Sequence, residues 1–335
     1  MALRSLALHN FRLFRELRLQ LEEAWTWIVG PNGSGKTSIL EAIYLLSRGR
    51  SFRTSNLREL IRWGAEQLAV SGESDLQLAV LLSARERHLK VGGKRVRRRA
   101  ELARYLAVQL IAPPLYELLC GSPSERRRFL DWGLFYGQPG YLEVWRSYRR
   151  VLRQRNAALK RRERTLPLWN RAFLEKAIII NEYRRCYLER FSAELAREIE
   201  RLGFKGELEA RYLQGWPHHL SLEEALERDR KRDLERGYTH SGPHRGDFFL
   251  LLDGRPVAGQ LSRGQMKLWT SCMAVVQASL PGRSATLLID DLAAELDPDL
   301  QERFWNMVHR FPGQRVIAVL DETLPNRFGG RCFRL

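Results

Sequence analysis

No stretch constrains this chain more than Gly30-Pro31-Asn32-Gly33-Ser34-Gly35-Lys36-Thr37. The apolar run Thr26-Trp27-Ile28-Val29 precedes it, and Ile39, Leu40, Ile43 and Leu46 follow at helical spacing. A buried strand must therefore end in a glycine loop that opens a helix. Glycines let successive N–H groups turn inward around a phosphate, where any Cβ would crowd it. Lys36 offers a point charge to β- and γ-phosphates, and the Thr37 hydroxyl offers an oxygen to Mg²⁺. The helix N-terminus faces the same anion. The residues expected to bind ATP are thus Gly30, Pro31, Asn32, Gly33, Ser34, Gly35, Lys36, Thr37 and Ser38.

Far downstream, Thr286-Leu287-Leu288-Ile289-Asp290-Asp291 reads as a buried strand ending in two carboxylates. Such a strand sets Asp290 beside the Mg²⁺ held by Thr37, and leaves Asp291 to orient an attacking water, with Lys36 as the second catalytic group. Between the two motifs lies Leu261-Ser262-Arg263-Gly264-Gln265, which resembles the signature segment of ABC-type ATPases. Glu295-Leu296-Asp297 resembles their D-loop. That likeness implies a site shared between subunits: Ser262, Arg263, Gly264 and Gln265 of one would complete the γ-phosphate site of the other. Taken alone, Ser-x-Gly-Gln is equally a helix cap.

The expected fold is an α/β, ABC-type phosphate-loop ATPase head with an inserted helical subdomain, an antiparallel arm. Strand signals cover Leu6 to Leu21 around a turn at Asn10-Phe11-Arg12, then Leu76 to Leu82, and a hairpin from His88 through Gly92-Gly93. Apolar residues at three- and four-residue steps then take over. They run from Leu142 to Leu159 and from Ile180 to Leu202, with a turn near Thr165-Leu166-Pro167. Strands return at Phe248 to Leu252, Thr286 to Ile289 and Val316 to Leu320, with helices after Ser262 and from Pro298. We assign 1–120 and 238–335 to a discontinuous head and 121–237 to the insertion.

Lys and Arg total 56 against 39 acidic residues, a formal charge of +17. That excess points to a polyanion, with nucleic acid first. The densest clusters are Lys94, Arg95, Arg97, Arg98 and Arg99, then Arg126, Arg127 and Arg128, then Arg149 to Arg162 along a helix that includes Arg155. They suit backbone tracking over base reading, so sequence-specific binding is not expected. A solvated charged face is the ordinary alternative for each. Trp145 and Tyr148 fall at core spacing. No segment reaches the ~20 apolar residues of a bilayer span, and no secretory leader is evident at MALRSLALHNF. Cys120, Cys186, Cys272 and Cys332 lack metal-ligand spacing and read as reduced, packed thiols in a cytoplasmic protein.

A more specific likeness rests on Asn10-Phe11-Arg12, the phosphate loop with Leu40 to Leu46 behind it, and Gly49-Arg50-Ser51-Phe52-Arg53-Thr54. Gly121 to Asp131 and Gly242-Pro243-His244-Arg245-Gly246-Asp247 extend it. In this order they resemble the RecF family over most of the chain. The resemblance implies a cytoplasmic, ATP-dependent homodimer that binds duplex DNA and single-strand/duplex junctions. It further implies action with RecR and RecO in loading RecA at gaps, and a weak, DNA-stimulated ATPase used as a switch. Against the family pattern, Phe52 replaces a histidine, Gly246 an aspartate and Ala294 a serine. Pro114 lies in a usually acidic stretch, and Val319-Leu320-Asp321 lacks the switch histidine of transporter ATPases. A transporter ATPase subunit and a non-hydrolysing binding module are the competing readings. The basic charge and the insertion weigh against the first, and the Asp290-Asp291 pair against the second.

Overall fold

The computed structural model describes residues 2–112, 117–280, 285–291, 296–320 and 322–335. They fall into two compact units, Met1–Leu115 with Lys267–Leu335, and Tyr116–Met266.

The first unit opens with the hairpin β1 (Ser5–Phe11) and β2 (Phe14–Gln20). Phe11 is fully buried and pairs with Phe14, so the turn is Arg12-Leu13 and begins two residues later than the sequence suggests. β3 (Trp25–Val29) leads into α1 (Lys36–Arg48). Then follow β4 (Gln67–Glu73), β5 (Gln77–Ser83), β6 (Arg87–Val91), β7 (Lys94–Val96), α2 (Arg99–Ala103) and β8 (Val108–Ile111). β4 escaped the sequence reading because Gly72 and Ser71 dilute its alternation, whose inward positions are Leu68, Val70 and Gly72.

The inserted unit holds α3 (Glu117–Cys120), α4 (Pro123–Gly137), α5 (Tyr141–Arg161), α6 (Leu166–Arg201), β9 (Leu208–Leu213), α7 (Leu222–Arg236), β10 (Asp247–Leu252) and β11 (Arg255–Pro256). α8 (Arg263–Ser279) starts in this unit and ends in the first. The chain closes with β12 (Thr286–Asp290), α9 (Pro298–Arg310), β13 (Gln314–Val319), α10 (Leu324–Phe328) and β14 (Arg331–Arg334).

Among the described residues, the first unit carries two sheets. One is antiparallel in the order β2-β1-β4-β5-β6-β7, the other parallel in the order β14-β3-β13-β12-β8. α1 packs on strands of both, which is why almost every residue of it is buried. β3 is buried along its whole length, as expected of a central parallel strand. Ile28 joins the core under α1, while Trp25 and Trp27 stack at 5.2 Å and meet Phe328.

In the inserted unit α5 and α6 form the antiparallel pair, turning over residues 162–165. Phe173, Ile180, Tyr187, Phe191, Leu195 and Ile199 line the buried stripe of α6. Residues 238–266 group with this unit and not with the head, where the sequence reading put them, since β10 pairs with β9. Asp253 and Gly254 both take positive φ between β10 and β11, the two-residue hairpin expected of Asp-Gly. Cys272 is buried, but Cys120, Cys186 and Cys332 are exposed, which corrects the packed-thiol reading for those three.

Candidate nucleotide site

The loop after β3 owes its shape to two glycines. Gly35 caps α1 at φ +105, and a Cβ there would stand 2.6 Å from the Phe14 ring. At Gly30 a Cβ would press on the Ser34 hydroxyl at 2.8 Å. That Ser34 Oγ is buried without a hydrogen-bond partner, an expense that an incoming phosphate oxygen would remove. Lys36 is buried, and its Nζ donates to the carbonyls of Gly30 at 2.6 Å and Pro31 at 3.0 Å. The ammonium thus sits over the loop with no carboxylate partner among the described residues.

β12 ends at Asp290, two strands away from β3, with β13 between them. The Thr37 hydroxyl bridges this gap, donating to Asp290 Oδ1 at 2.9 Å. Burial lifts the Asp290 carboxyl above the usual range, and Asp291 adds to this, while the Thr37 bond, Arg53 and Lys36 pull it down. A hydroxyl and a carboxylate on adjoining elements are hard oxygen donors of the kind Mg²⁺ takes, so the pair fits that ion. Asp291 leaves the strand at φ +43, and its N–H donates to Ala318 O at 3.0 Å. A left-handed non-glycine backbone is a feature that persists where a site requires it.

Glu41 is a contributor that the sequence does not reveal. Glu41, fully buried on α1, takes a two-pronged bond from Arg12 at 2.9 Å each. Ser51 donates to it as well, and Arg53 stands 3.8 Å away. Glu41 therefore fastens the β1–β2 turn and the 51–54 segment to the helix that carries Lys36 and Thr37, and it fixes Arg53 close enough to act on Asp290. The signal was present in the fragments around Arg12, Glu41 and Ser51, but nothing in their spacing says that they meet.

Ser262 and Gln265 engage each other across the first turn of α8. Ser262 Oγ accepts from Gln265 N at 3.2 Å, and Ser262 N donates to Gln265 Oε1 at 2.9 Å, a reciprocal cap. Ser262 and Arg263 remain exposed, Gly264 is half-buried, and the Ser262 hydroxyl keeps its own proton to donate. Asp297 caps α9 by accepting from Leu300 N at 3.0 Å. Pro114, Ala294, Glu295 and Asp321 lie outside the described residues.

The basic clusters divide sharply. Lys94, Arg95, Arg97, Arg98 and Arg99 are exposed on and after the β6–β7 hairpin. Arg126 is not a surface group: it is buried and grips Asp247 through two bonds of 2.7 and 2.8 Å, so it leaves the nucleic-acid set. Arg127 is half-buried and donates to Gly246 O at 2.9 Å, while Arg128 is exposed and paired with Glu125. Arg155 also faces inward, bound to Asp233 at 2.9 Å and to Asn170 and Thr239. Tyr148 is core, as its spacing implies, and Trp145 is half-buried with its indole donating to Asp131.

The RecF/RecN/SMC N-terminal domain model matches residues 2–327. A protein of Pseudoalteromonas translucida named DNA replication and repair protein RecF is 38% identical, over 97% of this chain and 93% of its own. The chain belongs to the RecF family. A solved structure of the recombination mediator protein RecF with ATP, in the RecFOR pathway, superposes with TM-score 0.86. It is 26% identical and covers 99% of this chain and 95% of that one. An Smc head bound to the C-winged helix domain of ScpA reaches TM-score 0.60 at 16% identity, over 96% of this chain and 90% of that one, a likeness of fold alone. Within the RecF family pattern, Phe52 packs edge-on against Tyr44 at 5.4 Å, so its half-buried ring lies against the core. At Gly246 a Cβ would lie 2.9 Å from Leu213 O, which leaves little room for an aspartate there. Among the described residues no helix is long and apolar enough to cross a membrane.

Proposed function

We propose that this RecF-family chain is an ATP-gated, DNA-binding recombination mediator of the cytoplasm. The observation that carries the reading is the 2.9 Å bond from Thr37 to Asp290, which joins phosphate loop and acid strand at one point. The kinship with proteins named DNA replication and repair protein RecF, and with a RecF–ATP structure, supports it.

On this reading Gly30 to Ser38 wrap the triphosphate, and Lys36 leaves the carbonyls of Gly30 and Pro31 for the β- and γ-phosphates. Thr37 and Asp290 hold Mg²⁺, which supplies charge neutralisation on the phosphates when bound. Asp291 orients water for a slow hydrolysis that times the cycle. Ser262, Arg263, Gly264 and Gln265 meet the γ-phosphate of a second subunit, so ATP favours a homodimer by mass action. Arg95, Arg97 and Arg98 offer charge to duplex or junction backbones without reading bases. RecR and RecO are the partners through which the dimer promotes RecA loading at gaps.

Sedimentation with ATP, ADP or no nucleotide tests the scheme. Wild type should dimerise with ATP and poorly with ADP. Lys36→Ala should lose ATP binding by about tenfold or more, as a charge-assisted contact disappears. Ser262→Arg should bind ATP yet stay monomeric, because the new side chain fills the space meant for the partner's γ-phosphate. A Ser262→Arg protein that dimerises as wild type does would remove the shared site.

A further inference from the structure

The inserted unit contains a cavity of about 440 Å³ that the nucleotide chemistry does not use, lined by Trp216, Arg228, Arg232, Tyr238, His240 and Arg245 among others. We propose that this cavity is a second nucleotide site, one that takes a phosphate ester together with its planar base.

Three observations point there. First, its charge is open. Arg232 and Arg245 are exposed and neither has a carboxylate partner among the described residues. Asp229, the acidic lining residue, is already closed off by Arg228 at 2.9 Å and the Ser241 hydroxyl at 2.6 Å. Two guanidiniums with all their donors free are what a phosphate recognises.

Second, one polar atom has no partner. His240 is held through Nδ1 by Asp233 Oδ1 at 2.7 Å, its side chain only 10% exposed. Asp233 is fixed in turn by Arg155 at 2.9 Å. This leaves His240 Nε2 buried without a hydrogen bond, an atom that costs free energy until a ligand atom meets it.

Third, aromatic faces stand beside these groups. Tyr238 lies against His240 at 4.4 Å between ring centroids, with the Arg245 guanidinium 5.5 Å from the Tyr238 centroid on a cation–π contact. Trp216 lines the same cavity. Charged groups for the phosphate and flat rings for the base together select a nucleotide over a bare anion. Everything named here sits within one compact unit, and none of it belongs to the phosphate loop.

The nucleotide has two sources, a free mononucleotide or one unit of a strand, and titration calorimetry on the full chain separates them. The probes are thymidine monophosphate, a short single-stranded oligothymidylate and inorganic phosphate. The proteins are wild type, Arg232→Ala/Arg245→Ala and Trp216→Ala. The double variant alters two exposed side chains, so its melting temperature should stay at the wild-type value. It should weaken binding by about tenfold or more, since two charge-assisted contacts go. Trp216→Ala should weaken the nucleotide probes and leave phosphate unchanged. Monophosphate binding on its own assigns the site to free nucleotide, and binding of the oligomer alone assigns it to a strand. The phosphate loop is intact in all three proteins, so its contribution cancels between them. Equal affinity in wild type and double variant, or no binding of any probe to wild type, overturns the proposal.

Discussion

The nucleotide site and the inserted unit both bury charge, and they treat it in opposite ways. Around the phosphate loop, Lys36 rests on two backbone carbonyls and Asp290 on one hydroxyl. In the inserted unit, Arg126, Arg155 and Arg184 each close on a carboxylate, Asp247, Asp233 and Asp131 respectively. Their remaining donors reach the Gly121 carbonyl, Asn170 and Thr239, and the Pro243 carbonyl. His244 belongs to the same fabric. Burial pushes it down to about 4, so it is neutral near pH 7, and it is bonded to Tyr148 at 2.8 Å and the Thr239 carbonyl at 3.0 Å. A buried charge with its counter-charge in place is architecture. At the phosphate loop, the buried cation without a carboxylate is Lys36, where a phosphate would supply the counter-charge.

The largest effect that could break this contrast lies at Arg155. Arg155→Ala leaves Asp233 fully buried without its arginine, held only by the His240 ring and N–H on its other oxygen, which should cost about 3 kcal/mol of stability. Lys36→Ala removes an equally buried cation that neutralises no carboxylate, and should change stability by under about 1 kcal/mol. Urea unfolding of both variants measures the difference directly. Comparable losses would mean that partnering does not distinguish the two regions.

The same contrast explains what the sequence could say. The phosphate loop was legible because its chemistry is local: eight consecutive residues between an apolar strand and an apolar helical stripe carry most of the geometry. Asp290 was legible as a strand end, and the arm as a 3.6-residue rhythm. Arg126 and Arg155 misled because a guanidinium in a basic run looks the same whether it meets water or an aspartate 121 or 78 residues away. Glu41 was hidden for the same reason, since its partners Arg12 and Ser51 lie on other segments. The placement of 238–266 followed from strand pairing across the arm, which hydropathy patterns do not encode.

A middle-sized effect separates the two kinds of arginine by salt dependence. Replacing Arg97, Arg98 and Arg99 by Ala should lower the slope of log affinity against log salt for duplex DNA by up to about 3, roughly one unit for each phosphate no longer neutralised. Arg126→Ala should leave the slope alone and lower the urea midpoint instead, since its charge meets Asp247. A change of slope at Arg126 would return it to the DNA surface.

The smallest effect, and the one with the most revealing sign, is at Asp290. Its folded carboxyl holds a proton to higher pH than the unfolded one does, chiefly because burial disfavours the charge. A group raised in this way stabilises the fold below its unfolded value, and that contribution is lost as pH rises through the folded value. Above that folded value the wild type bears the penalty of an ionised, half-satisfied carboxylate. Asp290→Asn bears none, and its Oδ1 can still accept the Thr37 bond. Without nucleotide the variant should melt higher than wild type at pH 7, and the gap should narrow as pH falls. On the proposed reading, adding ATP with Mg²⁺ should reverse the order, because the charged carboxylate would hold the ion with Thr37 more tightly than a neutral amide and gain more from ligand binding. An Asp290→Asn protein less stable than wild type at pH 7 would place this carboxylate with Asp131, Asp233 and Asp247, as architecture and not as a site.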